Sequence, residues 1–332
     1  MKKWIITAAA TALLLSGCGA NTEKNSPANT ATEAPGTPVN NGKEETAVAK
    51  YEVDQISQAL IDGDYEGVYS QLNPDFQKQM SLEDFVKTAP TLLKGVESFT
   101  QESTMTLNGA IYAAWMNQDR SKGLKVLADE NKVLNLLQVV PLQHFPDTDS
   151  TKTKLTYELP FKGEWYVFWG GENVLANYHY EYEQQRYAYD LIQVKDGYSY
   201  SGDSTKNESY YAFGQEIFAP RAGTVVRVVN DIEDNEPVGK MNPEHPEGNV
   251  VVIDHGDGEY SFLAHMKKDS VVVKVGDKVE EGDLLGLCGN SGNTSEPHIH
   301  FQVSDTDDMF DGKSINVSWA NGLSPKQGET MK

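Results

Sequence analysis

Between residues 50 and 95 the apolar positions recur every three or four residues, which is the spacing of one face of an α-helix. A first apolar stripe consists of Val53, Ile56, Leu60 and Ile61. A second stripe runs from Tyr65 to Leu72 and is ended by Asn73-Pro74. Ser81 precedes a third apolar stretch, with Asp84 in its first turn, which indicates that another helix starts there. The segment therefore predicts a group of short helices.

After these helices the pattern changes to alternation, the spacing of a β-strand. The alternating segments are residues 104–107, 111–115, 123–128 and 132–137. Asn108-Gly109, a strong hairpin-turn dipeptide, separates the first two, and Asp129-Glu130-Asn131 separates the last two. Helices followed by an antiparallel meander predict an α+β domain over residues 50–145. Its element order resembles the small NTF2-like domain found in bacterial lipoproteins.

From about residue 160 the pattern is nearly all β. Short apolar segments alternate with Gly, Asp and Asn turns at residues 223–229, 248–254, 259–265, 270–275 and 283–288. Many evenly spaced short strands are typical of a sandwich or barrel. We therefore expect a second, mostly β domain over residues 160–325.

The first seventeen residues have the pattern of an export leader. Lys2 and Lys3 precede an apolar run from Trp4 to Leu15, which is too short to span about 30 Å of hydrocarbon but fits a secretory leader. The run ends in Leu15-Ser16-Gly17-Cys18, which resembles a bacterial lipobox. That resemblance implies removal of residues 1–17 and lipidation of Cys18, with the chain held on the outer face of the cytoplasmic membrane or on the periplasmic side of an envelope membrane. The alternative is an ordinary leader with a chance cysteine.

Residues 18–49 are rich in Asn, Thr, Ala, Pro, Glu and Gly and contain almost no large apolar residue. Such a segment cannot bury enough surface to offset its chain entropy. We expect it to be a disordered tether between the lipid and the folded domains.

The composition of the chain limits the kinds of molecule that it can bind. The 332 residues include 28 Lys and Arg against 49 Asp and Glu, a formal charge of −21. An acidic surface repels phosphate backbones, which argues against a nucleic acid partner. Two cysteines, Cys18 and Cys288, cannot form a disulfide framework, and Cys288 is expected to be a small buried residue.

The residues best suited to metal binding or catalysis lie in the segment Glu296-Pro-His-Ile-His-Phe301. In a strand His298 and His300 share one face, while Ile299 and Phe301 face the core. Two adjacent imidazoles suit a metal ligand beside a catalytic group, and His265 ends an earlier apolar strand. A pair of surface histidines is the alternative interpretation.

These histidines, with the runs at 218–224, 248–258 and 275–293, resemble the M23 (lysostaphin/LytM-type) zinc metallopeptidases over about residues 175–303. The resemblance implies a groove-bearing antiparallel β domain that hydrolyses peptide bonds of bacterial peptidoglycan with Zn²⁺. Carried onto this sequence, it implies that His300 and Asp190 bind zinc and that His265 and His298 are catalytic.

The family pattern places a histidine four residues before the ligand aspartate, where this chain has Arg186. A guanidinium has no lone pair to give a metal, and its position predicts an ion pair with Asp190. We expect a turn at residues 183–185 to bring His179 back as the third ligand. Glu181 or Glu183 in that role, or a weakened metal site, are the alternatives.

Three further histidines are expected to lie outside the site: His144 and His245 in Pro-flanked loops, and His255 in a structural position. Residues 230–248 have the character of an inserted loop, either a groove wall or a mobile segment. Two other functions compete with the peptidase. One is a degenerate domain that binds wall peptides or activates another hydrolase. The other is a biotinyl-type carrier, which the absence of a lysine at a hairpin tip disfavours.

Overall fold

The computed structural model describes residues 51–320 and 322–332. The predicted leader, Cys18 and the tether lie outside these residues. No helix within the described residues is long and apolar enough to cross a bilayer. The fold is mostly antiparallel β-sheet with a few short helices.

Short helices open the described chain. They are α1 (Ile56–Ile61), α2 (Tyr65–Ser70), α3 (Pro74–Gln79) and α4 (Leu82–Leu92), preceded by a 3₁₀ turn at Val53–Gln55. Four strands follow as an antiparallel meander: β1 (Phe99–Leu107), β2 (Ala110–Asn117), β3 (Lys122–Asp129) and β4 (Leu134–Pro141).

Local capping explains where the helices begin. The Ser81 hydroxyl accepts the Asp84 N–H, as predicted for the start of α4. Asn73-Pro74 follows the end of α2, as expected, but it also begins a helix that the sequence analysis did not predict. The Asn73 side chain accepts the Phe76 N–H, and Pro74 occupies the first turn of α3, where a missing N–H costs nothing.

The meander packs on both faces. The helices cover one face, where Leu124, Val126 and Trp115 meet Ile56 and Phe85 in one buried cluster.

The predicted hairpin turn is confirmed, with φ of 52° at Asn108 and 76° at Gly109, and these positive values explain the Asn-Gly sequence.

The second half begins with α5 (Pro146–Asp149) and is otherwise almost entirely β. Its strands are β5 (Lys152–Tyr157), β6 (Trp165–Trp169), β7 (Tyr189–Ile192), β8 (Glu216–Phe218), β9 (Gly223–Val229), β10 (Asn249–Asp254), β11 (Tyr260–Met266), β12 (Lys278–Val279), β13 (Leu284–Leu287), β14 (Ile299–Ser304), β15 (Ser314–Trp319) and β16 (Thr330–Met331).

Ten of these strands form one sheet in the order β12-β9-β10-β11-β14-β7-β6-β16, with β15 joining β14 to β5. The β5–β15 pair is parallel, and β8 pairs with β13 in a separate ribbon. The sheet thus includes β5 and β16, which lie outside the interval 160–325 expected from the sequence. The strand expected at 270–275 is absent, because Val272 and Val275 are exposed by 63% and 59% in an irregular segment.

The two halves are joined by buried contacts. Met105 and Tyr112 on the open face of the meander pack with Leu175 and Ile192 of the second half. Residues 326–331 add polar links: the Lys326 Nζ donates to the Glu102 carbonyl, and the Ser103 hydroxyl donates to Gln327 Oε1.

The inserted segment 230–248 is docked on the sheet. Asn249 bonds both the N–H and the carbonyl of Ile232, and Asn235 Nδ2 donates to the Gly292 carbonyl at 2.7 Å. These bonds hold the insertion in place and count against the mobile-segment interpretation. Cys288 is fully buried, as predicted.

A core substitution tests the packing of the meander. Leu124→Ala, which removes a fully buried side chain, is expected to lower the free energy of unfolding by about 2–5 kcal/mol. Leu82→Ala, at a position 39% exposed, is the matched control and should cost less than about 0.5 kcal/mol. Urea unfolding followed by tryptophan fluorescence measures both. Equal losses in the two variants would contradict the packing described here.

Candidate metal centre

Strands β7 and β14 place a carboxylate and an imidazole directly opposite each other. They pair antiparallel with Asp190 in register with His300, while Leu191 and Ile299 form the next pair. Ile299 and Phe301 face the core, so His300 faces the other side, as predicted. His300 Nδ1 lies 3.0 Å from Asp190 Oδ1.

His179 reaches this pair from a separate turn. It lies in a 3₁₀ turn at Tyr178–Glu181, and the chain turns again over residues 183–187 before entering β7. The reversal brings His179 Nε2 to 3.7 Å from Asp190 Oδ2. The imidazole of His179 is fully buried.

Asn177 fixes which nitrogen of His179 is available. The Asn177 amide nitrogen donates to the carbonyls of Gly171, Arg186 and Ala188, so its Oδ1 faces the imidazole. That oxygen accepts the His179 Nδ1–H at 2.8 Å. Nε2 is therefore the atom with a lone pair, and it is buried without a hydrogen-bond partner among the described residues.

A similar argument applies to His300. Gln302 Nε2 donates to the Gln184 carbonyl, so Gln302 Oε1 faces the imidazole and accepts the His300 Nε2–H at 3.1 Å. The lone pair of His300 Nδ1 then points at the Asp190 carboxylate. Two acceptors 3.0 Å apart require a proton or a cation between them.

His298 lies beside this group just before β14. Its Nδ1–H donates to the Glu296 carbonyl at 2.8 Å, since a carbonyl can only accept, and Thr294 Oγ1 lies 3.0 Å from the same nitrogen. Its Nε2 lies 3.4 Å from Asp190 Oδ1.

A break in strand alternation brings His265 to the same face. Leu263 and Met266, three residues apart, both enter the core cluster, which regular alternation forbids. One extra residue on β11 opposite β10 and a positive φ of 60° at His265 cause the break. The bulge turns the imidazole of His265 toward His298, with ring centroids 4.8 Å apart.

His265 is also held by a hydrogen bond. Its Nδ1–H donates to the Ser291 carbonyl at 2.8 Å. Gly248, with φ of 61°, lets the loop bearing Ser291 pass closely, because a Cβ at this position would lie 2.2 Å from the Ser291 oxygen. No side chain fits there without moving the residue that orients His265.

In this cluster, burial and the neighbouring charged groups shift the pKa values of the side chains in opposite directions. Burial lowers the pKa of His179 to about 3 and the pKa of His265 well below its usual value. Burial raises the pKa of Asp190, but His179, His298 and His300 together outweigh it and hold that pKa well below the usual range. Burial lowers the pKa of His298, and Asp190 reverses the shift to a net rise.

The donors suit a divalent metal ion. His179, Asp190 and His300 each offer one ligand atom within 4.8 Å of the others, and His265, His298 and His300 form an overlapping set. Zinc binds imidazole nitrogen and carboxylate oxygen in a tetrahedron whose edges are about 3.3 Å. The measured separations of 3.0 and 3.7 Å around Asp190 bracket that value. The uncompensated lone pair on His179 Nε2 is a further reason to place the ion there.

Arg186 does not pair with Asp190, and that expectation is wrong. Arg186 lies in the turn before β7, so it shares no strand face with Asp190. Its guanidinium stacks 3.5 Å from the Phe145 ring centroid, and its Nε donates to the Tyr180 carbonyl. The arginine thus holds the turn that contains His179 and leaves the carboxylate to the histidines.

The remaining candidates lie elsewhere. His144 and His245 are exposed, and His255 bonds the Ala222 carbonyl and the Ser261 hydroxyl outside the cluster. Glu181 and Glu183 are exposed and belong to neither group of metal donors. Cys18 lies outside the described residues.

Sequence reasoning missed the residues that orient the histidines. They are Asn177, Thr294, Ser291 and Gln302. Gln302 could have been predicted, because strand alternation puts positions 298, 300 and 302 on one face. The others act across loops, where no periodicity indicates contact.

The antiparallel sheet gathers imidazoles and a carboxylate around one buried point, a donor set that fits a divalent metal ion. Residues 209–316, about a third of the chain, match the family model of Peptidase family M23. The matched segment contains His265, His298 and His300. His179 and Asp190 precede it.

Two relatives of known function are similar to about a third of this chain. Peptidoglycan DD-endopeptidase ShyA of Vibrio cholerae serotype O1 is 35% identical over 105 residues, which are 31% of this chain and 22% of that protein. Glycyl-glycine endopeptidase ALE-1 of Staphylococcus capitis is 32% identical over 113 residues, which are 34% and 30% of the two chains. The matches therefore span less than a third of either relative.

Solved structures give a looser similarity. The antimicrobial peptidase lysostaphin from Staphylococcus simulans is 20% identical, with 48% of this chain and 47% of that chain covered and a TM-score of 0.27. A zinc containing peptidase from Vibrio cholerae is 16% identical, with 63% and 47% covered and a TM-score of 0.25.

Metal analysis tests the donor set. The wild-type chain is expected to bind one zinc ion, and His179→Ala and His300→Ala should each weaken binding by about 100-fold or more, since loss of an outer-shell partner alone costs ~10–100-fold. His144→Ala, an exposed histidine outside the cluster, is the matched control. Equilibrium dialysis with elemental analysis gives the stoichiometry. Full zinc binding by His179→Ala would remove His179 from the site.

Proposed function

We propose that this protein is a zinc endopeptidase that hydrolyses peptide bonds of bacterial peptidoglycan and is tethered to an envelope membrane through lipidated Cys18. The observation that carries the proposal is the convergence of His179 Nε2, Asp190 and His300 Nδ1, each oriented by its own partners. The M23 match and the wall endopeptidases among the relatives support the choice of substrate.

In this proposal His179, Asp190 and His300 would hold the zinc, which would supply polarisation of the scissile carbonyl and a lowered pKa for an attacking water molecule. The burial of all three side chains keeps competing bulk water away from them.

His265 and His298 then handle protons and charge. Each donates its Nδ1–H to a backbone carbonyl, which fixes the orientation of the ring and leaves Nε2 as the atom that exchanges protons. A neutral imidazole at that position takes the proton of the attacking water, and a protonated one donates to the developing oxyanion. The 4.8 Å ring separation suits two groups acting on one tetrahedral centre.

The outer organisation of the chain belongs to the same proposal. Residues 1–17 would be a lipoprotein leader, residues 18–49 a tether, and residues 50–145 an NTF2-like domain ahead of the peptidase. The protein would then act at the outer face of the cytoplasmic membrane or at the periplasmic side of an envelope membrane.

A second candidate function is a metal-poor module that binds wall peptides or activates another hydrolase. Arg186 favours it, because the usual histidine at that position is missing. The two candidates differ in zinc content and in product release.

Wall digestion by the purified, zinc-loaded chain separates them. We expect the wild type to release peptide fragments from purified walls. His265→Ala and His298→Ala should retain zinc and lose about 10²–10⁴-fold in rate, the usual contribution of a positioned acid or base. His245→Ala, which removes an exposed imidazole that belongs to neither group of metal donors, is the control. A wild type that binds walls without releasing fragments would favour the binding module.

A further inference from the structure

A cleft opens between the two halves of the molecule, close to the proposed catalytic residues. Strands β1, β2 and β3 of the meander form one wall, Phe168 of β6 forms another, and Glu296 stands at its polar end. It encloses about 390 Å³ including its open mouth. Apart from Asn108 and Glu296 its lining is apolar or aromatic, with Met105 and Leu107 on the meander side.

Glu296 is an incompletely satisfied buried acid. Its side chain is about nine-tenths buried. Oε2 accepts a long 3.4 Å hydrogen bond from the Ser199 hydroxyl, and Oε1 has no partner within the described parts of the chain. No lysine or arginine of residues 51–320 and 322–332 forms an ion pair with it. Burial raises its pKa to about 7.

A buried carboxylate oxygen without a partner is costly and needs an explanation. The catalytic steps proposed above use the backbone carbonyl of Glu296, which accepts from His298, and leave its side chain unused. A cation from outside the protein would satisfy the free oxygen. The apolar walls exclude a fully hydrated ion and favour a cation carried at the end of an aliphatic chain.

The meander wall is held in place at this point. The Asn108 N–H donates to the Gly197 carbonyl at 2.8 Å, and the Ser199 N–H donates to Asn108 Oδ1 at 2.9 Å. Asn108 Nδ2 also donates to the Ser199 hydroxyl, which in turn contacts Glu296. The hairpin tip of the first half thus fixes the distance between the apolar wall and the carboxylate.

We propose that this cleft is a substrate subsite for a peptide side chain that ends in a primary amine, the side chain of a diamino acid. Its alkyl part lies along Met105, Leu107 and Phe168, and its ammonium group bonds Glu296 Oε1. The subsite lies two residues from His298, so it selects which peptide reaches the catalytic groups. This inference rests on the proposed function and names its substrate class.

Binding is tested first without catalysis. The zinc-loaded full chain, labelled with ¹³C at methionine methyls, is titrated with Nα-acetyl-lysinamide and with its Nε-acetylated counterpart. The Met105 signal, assigned with Met105→Leu, is expected to shift with the free amine and to respond at least tenfold more weakly to the acetylated probe, as expected when a hydrogen bond to a charged group is lost. Glu296→Gln should abolish the difference, and Glu296→Asp should keep part of it.

Selectivity is tested next on walls with free amines and on the same walls after chemical acetylation. The wild type is expected to cut the free-amine walls at least about tenfold faster, and Glu296→Gln should bring the two rates within about twofold. Glu208→Gln, which removes an exposed carboxylate elsewhere, is the matched control and should keep the preference.

Three results would overturn the subsite. In the first, the wild type cuts free-amine walls and acetylated walls at equal rates. In the second, Glu296→Gln lowers the cutting rate equally on both kinds of wall. In the third, the Met105 signal shifts equally with the free amine and with the acetylated probe. The second would mean that Glu296 only positions His298. If no wall is cut at all, the proposed function fails, and the Met105 titration decides the subsite by itself.

Discussion

The whole second half is organised around one buried carboxylate. Asp190 is only 4% exposed and lies within 4 Å of three imidazoles. A charge of this kind is removed from water at a large cost, and that cost must be offset by partners held in place. The cross-strand register of β7 and β14, the turn that carries His179 and the approach of His298 all supply such partners. A site of this kind is stable only if the sheet around it is complete.

The orientation of each imidazole is set by a residue that does not face the common centre. Asn177, Gln302, Ser291 and the Glu296 carbonyl each take one ring N–H. They decide which nitrogen is presented to the centre, so the site depends on these four acceptors as much as on the histidines. The bulge at His265 also orients an imidazole toward the centre, because regular alternation would have placed that ring in the apolar core.

Much of the histidine cluster could be predicted from the sequence, and the reason differs from residue to residue. Alternation placed His298 and His300 on one face, and the position of Asp190 followed from a family resemblance. The return of His179 needed only a turn, which polar residues 183–185 indicated. Arg186 was misjudged because the strand begins later than its spacing suggested. The apolar run at 270–275 was taken for a strand, although its valines are exposed. Helix α3 was missed because Asn-Pro can start a helix as well as end one.

The structure also resolves a point that composition left open, namely how the two halves relate. Their shared apolar cluster and the Asn108 bonds join the meander to the half that carries the histidine cluster. The first half is therefore packed against the metal-binding half and is more than a spacer in front of it.

The links made by residues 326–331 have a consequence for biosynthesis. Lys326 and Gln327 bond to Glu102 and Ser103, more than two hundred positions earlier, and β16 completes the sheet beside β6. During vectorial synthesis or export the meander emerges long before these residues do. The halves can fold separately in that interval, and residues 326–331 later add to the contacts that Asn108 and Tyr112 make with the second half. Because synthesis proceeds from the N-terminus, the contacts of residues 326–331 with the meander form after most of both sheets has been made.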